Sequence, residues 1–368
     1  SSSGLSEFRA PGHGAHPGDS MPGPAAAALL AGLLAGGAIG APIYSSSRPR
    51  LPRSAEPVGT TVTAGQLLAG RPLPEAWDWR DVNGLNLATT DWNQHIPQYC
   101  GACWIHGTVS ALNDRIKVMR GGKFPDIMLN RQAILNCVPS ADGKGPNPGC
   151  NGGDTWMILK YMQEHKVPDE TCMPYQARNM ECVPENVCRN CVPPAMAQHT
   201  KYKTDCYPVE HWTGYGIRSY GNLTGELAMM QEIYARGPIS CSAVTDEAFV
   251  LHFGENAARN EGVYVTDAVF NTSQIDHNME VAGWGVTPRG IKYWVVRNSW
   301  GTYWGDGGWL KLRRGVNQQF IESDCDWGVP DFAELDEELL THALGDYVQG
   351  AGVFPLQSTK QAMPAATA

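Results

Sequence analysis

Apolar and polar positions along the chain divide it into a helical first half and a strand-rich second half. Residues 103–115 carry a helical pattern, with Gly107 as its weak point, and shorter helices are predicted over 130–135, 155–164 and 226–236. The third of these starts just after the Gly152-Gly153 break. Later runs are short, apolar and rich in β-branched and aromatic residues: 281–285, 291–297 and 308–312. Helices first and strands later predict an α+β fold with two lobes and a cleft between them.

Outside this dense region the pattern changes. Residues 1–20 are rich in Ser, Gly, Pro and His and read as a disordered tag or leader. Residues 21–41 contain an Ala/Leu run and a small-residue stretch, Ala38-Ile39-Gly40, that fit a signal peptide, although the segment itself carries no Lys or Arg. Its glycines and marginal length argue against stable membrane insertion. Residues 42–72 lack strong periodicity and read as a short propeptide. The globular domain is expected over 73–332, with a largely disordered extension over 333–368 in which residues 334–344 could form a short amphipathic helix.

Composition narrows the function. A net charge of -9 argues against a nucleic-acid partner, because that affinity needs Lys and Arg against phosphate. Eleven cysteines are an odd count: in an oxidising compartment, ten pair and one stays a thiol.

A thiol nucleophile needs a means of becoming a thiolate, a proton partner and donors for the oxyanion it creates. Cys103 opens the first long helix, where the positive end of the helix dipole favours a thiolate. His277 is the candidate proton partner. Asn298 is the candidate that orients its ring, with Trp300 shielding that bond from water. A Cys-x-x-Cys redox motif at Cys100 and Cys103 is the alternative, as is a zinc site at Cys182, Cys188, Cys191 and Cys206. The redox reading would need neither His277 nor Asn298, and zinc does not suit a secretory context. His106, beside the nucleophile, reads as a packed or solvated histidine.

Three segments carry a resemblance: Cys100-Gly101-Ala102-Cys103-Trp104, then Asp276-His277 with Gly283-Trp284-Gly285, then Asn298-Ser299-Trp300-Gly301. In this order the chain resembles the papain family of cysteine peptidases, and His95-Ile96-Pro97 resembles the mini-loop of that family's cathepsin X (cathepsin Z) group. The resemblance implies a papain-like fold, with a helical lobe and a β-barrel-like lobe. It also implies a Cys103–His277–Asn298 triad, and an oxyanion Gln six positions before the nucleophile. Removing the three inserted residues gives Gln94 that spacing, with Gln98 as fallback. His95, on its Pro-stiffened loop, would grip the free carboxylate of a peptide, more strongly when protonated near pH 5. Tyr99 and Trp300 would orient it. Gly152 and Gly153 would line the substrate wall, where missing side chains let a peptide backbone approach.

Ten cysteines can pair in roughly 945 ways by counting. The resemblance suggests Cys100–Cys150, Cys137–Cys182, Cys172–Cys188, Cys191–Cys206 and Cys241–Cys325. Asn222 and Asn271 lie in glycosylation sequons. The expectation is a monomeric secretory-pathway enzyme, lysosomal or extracellular, with no cofactor and no metal. It would remove single residues from peptide C-termini, best at acidic pH. An endopeptidase or a catalytically weak adhesion protein are the alternatives. Two residues depart from the family pattern. Ile105 would crowd the helix start, and Glu280 would either perturb His277 or face solvent. The stretch before Leu73 also lacks the cysteine that holds the cathepsin X group latent, which leaves steric blocking by a short proregion.

Overall fold

The computed structural model describes residues 62–140 and 147–331. The segments read as leader, signal peptide and most of a propeptide, and the C-terminal stretch with its expected helix, lie outside the described residues. In chain order the elements are α1 (Ala64–Leu68), β1 (Trp77–Asp78), α2 (Cys103–Met119), α3 (Arg131–Cys137), α4 (Thr155–Glu164), β2 (Arg189–Cys191) and β3 (Cys206–Pro208). Then follow β4 (Gly216–Leu223), α5 (Glu226–Arg236), β5 (Ile239–Ala243), α6 (Glu247–Arg259), β6 (Val263–Tyr264), β7 (His277–Val286), β8 (Lys292–Arg297), β9 (Trp309–Arg313) and β10 (Cys325–Asp331).

The main sheet runs β4-β10-β5-β7-β8-β9-β6, with β1 also paired to β7. All these pairs are antiparallel except β6 with β9. Two apolar cores fill the molecule. One is formed by the sheet with α1, α5 and α6, around Trp79, Trp284, Trp294, Phe249 and Leu312. The other joins α2, α3 and α4 around Trp104, Ile105, Leu112, Ile134 and Ile158. These are the two lobes of an α+β papain-like fold. Helices and strands are more interleaved than the sequence pattern predicts: α5 and α6 sit among the strands, and β4, β5 and β10 join the sheet.

Caps set several helix starts. Asn130 Oδ1 accepts from Ala133 N at 2.8 Å ahead of α3, so Asn130 is the cap and not the first helical residue. Asp154 caps α4 in the same way. α1 falls within the stretch read as aperiodic; five residues are too few to show a period, and its trace in sequence is the Thr63/Gln66 capping box.

α2 continues to Met119 despite Gly107. The glycine is there because α2 lies against β7: a Cβ on Gly107 would stand 2.2 Å from Asn278 Oδ1. That close approach sets the start of α2 beside the start of β7. Ile105 is fully buried in the helical core. Among the described residues no helix is long and apolar enough to cross a membrane.

Candidate active site

Cys103 is the first residue of α2 and is buried. The residue before it, Ala102, has no polar side chain to occupy the first-turn N–H groups. With no side chain capping the start of α2, the positive end of the helix dipole favours an anion at the cysteine. The other ten cysteines form Cys100–Cys150, Cys137–Cys182, Cys172–Cys188, Cys191–Cys206 and Cys241–Cys325. Cys100 is thus tied to Cys150 and cannot form a redox pair with Cys103. The four cysteines weighed as zinc ligands are all oxidised.

His277 begins β7 and is fully buried. Its Nε2 lies 2.8 Å from Oδ1 of Asn298, the residue after β8, so the bond to Asn298 leaves Nδ1 as the second nitrogen for proton exchange. Asn298 Oδ1 also accepts from Ser299 N at 2.7 Å, which fixes the amide orientation. Trp300 is buried and tilts over the imidazole, with ring centroids 4.9 Å apart. It keeps the His277–Asn298 bond out of water, where the bond is electrostatically stronger. Burial drives the His277 pKa down to about 4, against the raising effect of the Asn298 bond and with a further push from His95. An imidazolium at this depth therefore needs an anion beside it. A thiolate beside the ring would meet that need, and the two charges would then form together.

Gln94 is buried and held on both ends of its amide. Oε1 accepts from Ser299 Oγ at 2.7 Å, and Nε2 donates to Cys100 O at 3.1 Å. Its main chain is pinned as well, through Gln94 N to Ser299 O and Tyr175 Oη to Gln94 O. An amide NH₂ has two hydrogens, so one donor remains for a ligand. Gln98 is exposed and donates to Ala177 O.

His95 follows on the inserted loop. Its ring stacks on Tyr99 at 4.7 Å and 7°, and its field reaches both His277 and His106. Tyr99 is half exposed and couples electrostatically to Cys103. Gly152 has φ 87°, and a Cβ on Gly153 would stand 2.6 Å from the Trp104 ring, so the chain opposite Cys103 must be glycine. Gly101 N bonds Cys150 O at 3.0 Å, joining this wall to the segment that carries the thiol.

His106 is buried, with Nδ1 on Ala102 O at 2.9 Å and Tyr175 edge-on at 4.8 Å. Burial, then Arg131, push its pKa well down, so it is a neutral packed histidine. Glu280 does not face solvent: it is fully buried and pairs with Arg297 at 3.1 Å. Asn222 sits in β4 opposite Asp326, and Asn271 caps an exposed turn. Tyr175, which holds the Gln94 carbonyl, lies in no motif by which sequence could single it out, and Ser299 stands out in sequence only as part of the Asn298-Ser299-Trp300-Gly301 segment, not as a partner of Gln94.

Residues 73–328 match the family described as papain family cysteine protease. The chain belongs to the papain family of cysteine peptidases. It is 37% identical over 266 residues to cathepsin Z of Onchocerca volvulus, covering 70% of this chain and 78% of that protein. Cathepsin B-like cysteine proteinase 6 of Caenorhabditis elegans is 28% identical, covering 73% of this chain and 70% of that one. Among solved structures, procathepsin B S9 from Trypanosoma congolense shares the fold with a TM-score of 0.58 at 22% identity, covering 78% and 86% of the two chains. The bromelain protease from Ananas comosus in complex with the E64 inhibitor gives a TM-score of 0.51 at 24% identity, covering 70% and 99%. A cysteine peptidase acts on peptides, and papain-family cathepsins are typically secreted or lysosomal, a setting with which the five disulfides agree.

Proposed function

We propose that the protein is a cysteine carboxypeptidase that removes single residues from peptide C-termini. The observation that carries this reading is His95. It stands on the three-residue insertion between the oxyanion-type Gln94 and the thiol, braced on Tyr99 and within electrostatic reach of His277. A cation or strong donor there recognises a free carboxylate one residue past the scissile bond. The similarity to a cathepsin Z supports the same reading.

The Cys103 thiolate attacks the scissile carbonyl. The oxyanion takes a hydrogen bond from the main-chain N–H of Cys103 and one from Gln94 Nε2. His277, its ring held by Asn298, gives the proton to the leaving amine and then accepts one from the water that cleaves the thioester. Gly152 and Gly153 leave room for the substrate backbone. Acidic pH favours the reaction by protonating His95. The five disulfides fit a monomer in the secretory pathway, lysosomal or extracellular, and Asn271 is the more accessible of the two sequons.

The test uses two peptides that differ only in a C-terminal acid or amide, digested at pH 5 and followed by mass spectrometry. Loss of single residues from the acid alone, abolished in Cys103→Ala and weakened in His95→Ala, is the expected result. Internal cleavage of both peptides would replace this reading with an endopeptidase. If a folded protein leaves both intact, a binding role takes precedence.

A further inference from the structure

The guanidinium of Arg297 sits where four segments meet. Its Nη1 pairs with Glu280 Oε2 at 3.1 Å on β7 and donates to Asp114 Oδ1 at 3.3 Å on α2. Its Nη2 donates to Asp114 Oδ2 and to Thr89 O, both at 3.0 Å. Its Nε faces Asp91 Oδ1 at 3.2 Å, and the Trp309 ring covers one face at 4.4 Å. Asp114 is further bound by Thr89 N and Oγ1 at 2.7 and 2.6 Å. Arg297, Asp114 and Glu280 are buried, and Asp91 is partly so.

Each arm reaches a segment that carries a candidate reactive group. Arg297 immediately precedes Asn298. Glu280 lies three residues after His277 on the same strand, and Asp91 three before Gln94. Asp114 lies on the helix that Cys103 begins. The two lobes meet here through one planar, five-donor group, which can hold several acceptors in fixed directions as a Lys could not. Three carboxylates around one guanidinium would be over-charged. Burial, with Asp114 and Asp91 adding to it against the pull of Arg297, raises the Glu280 carboxyl well above its usual range. A neutral Glu280 relieves the repulsion around the single cation.

We propose that Arg297 is a positioning residue for the reaction, setting the Cys103, His277, Asn298 and Gln94 segments in register through Asp114, Glu280 and Asp91. This rests on the roles assigned to those four residues under the proposed function. It does not depend on whether the peptide's end is recognised.

Two readouts test it. The pH profile of Cys103 alkylation by iodoacetamide reports the thiolate–imidazolium pair and needs no substrate. Steady-state kinetics on a peptide that the native protein cleaves report the whole reaction. In Arg297→Lys the alkylation limb should move to higher pH, because a displaced His277 supports the thiolate less. Its kcat should fall on the order of 10- to 100-fold with KM little changed. Asp91→Asn touches the partly exposed arm and only the Gln94 segment. It should lower kcat by roughly 3- to 10-fold and leave alkylation alone. Near-UV circular dichroism establishes that each variant is folded. A folded Arg297→Lys with the native alkylation profile and native kcat overturns the proposal. If Arg297→Lys does not fold, Asp91→Asn decides: a lower kcat at native KM supports the proposal and a native kcat overturns it. A purely structural role would lower the melting temperature of either variant and leave the profile and kcat in place. If Cys103 of the native protein resists alkylation below pH 7, the reactive pair itself is wrong and the proposal falls with it, before any variant is made.

Discussion

Replacing Gln94 by Ala tests the proposed oxyanion role. In the native site the Gln94 amide cannot flip, because Cys100 O only accepts and so keeps Nε2 and its two hydrogens on its side, with Oε1 left to accept from Ser299 Oγ. One of them is taken by Cys100 O at 3.1 Å. The second is the donor that Ala lacks. Loss of one preorganised oxyanion donor in a buried site costs about 3 kcal/mol of transition-state stabilisation, on the order of 100-fold in kcat. KM should change little, since a ground-state carbonyl gains much less from that donor than the oxyanion does. A separate cost of roughly 1–3 kcal/mol falls on stability, because the buried Ser299 hydroxyl loses its acceptor. The assay pairs steady-state cleavage of a peptide with the rate of Cys103 alkylation. Alkylation forms no oxyanion, so its rate should stay within about twofold of native while kcat collapses. Gln94→Glu keeps the size of the side chain and offers an acceptor to Ser299 but no donor, and should lose at least as much. A kcat within about threefold of native would refute the assignment. So would an equal loss of alkylation, which would mean that Gln94 acts by holding the thiol.

His95→Ala should lower kcat/KM on a free-acid peptide by roughly tenfold or more while leaving any amide cleavage as it was, as expected for loss of a charge-assisted bond to carboxylate. If a Cys103 thiolate is the anion that supports an imidazolium at His277, nitrogen NMR of Cys103→Ala should find the ring neutral down to a pKa of about 4. The sign for stability follows. The folded pKa lies below the unfolded value of 6.5, so the unfolded chain takes the proton first. This part of the stability is complete above pH 6.5 and lost as pH falls toward 4, at most about 3 kcal/mol. A ring that titrates near 6.5 in that variant would contradict the burial argument. Gly107→Ala would drive a Cβ into Asn278 Oδ1 and should cost roughly 1–3 kcal/mol, seen as a lower melting temperature, although an exposed Gly→Ala change in a helix is usually stabilising.

The sequence alone determined whatever chemistry or local geometry imposes on neighbouring residues. A cysteine at the start of a predicted helix, an Asp-His segment entering a strand and an Asn-Ser-Trp-Gly turn are local patterns, and their order carried the family resemblance. The inserted His95-Ile96-Pro97 was legible because it shifts Gln94 by three positions. Only the tertiary structure decided how these segments meet. Gly107 counted against a helix by propensity, yet its missing side chain lets α2 lie on β7. Glu280 looked misplaced on an apolar strand because its partners, Arg297, Asp114 and Asp91, are 17 to 189 positions away in the chain. Ser299 and Tyr175 orient Gln94 across similar separations. Propensity and periodicity report what a residue prefers among its neighbours in sequence, whereas a buried charge or an absent Cβ is explained by neighbours that only folding supplies.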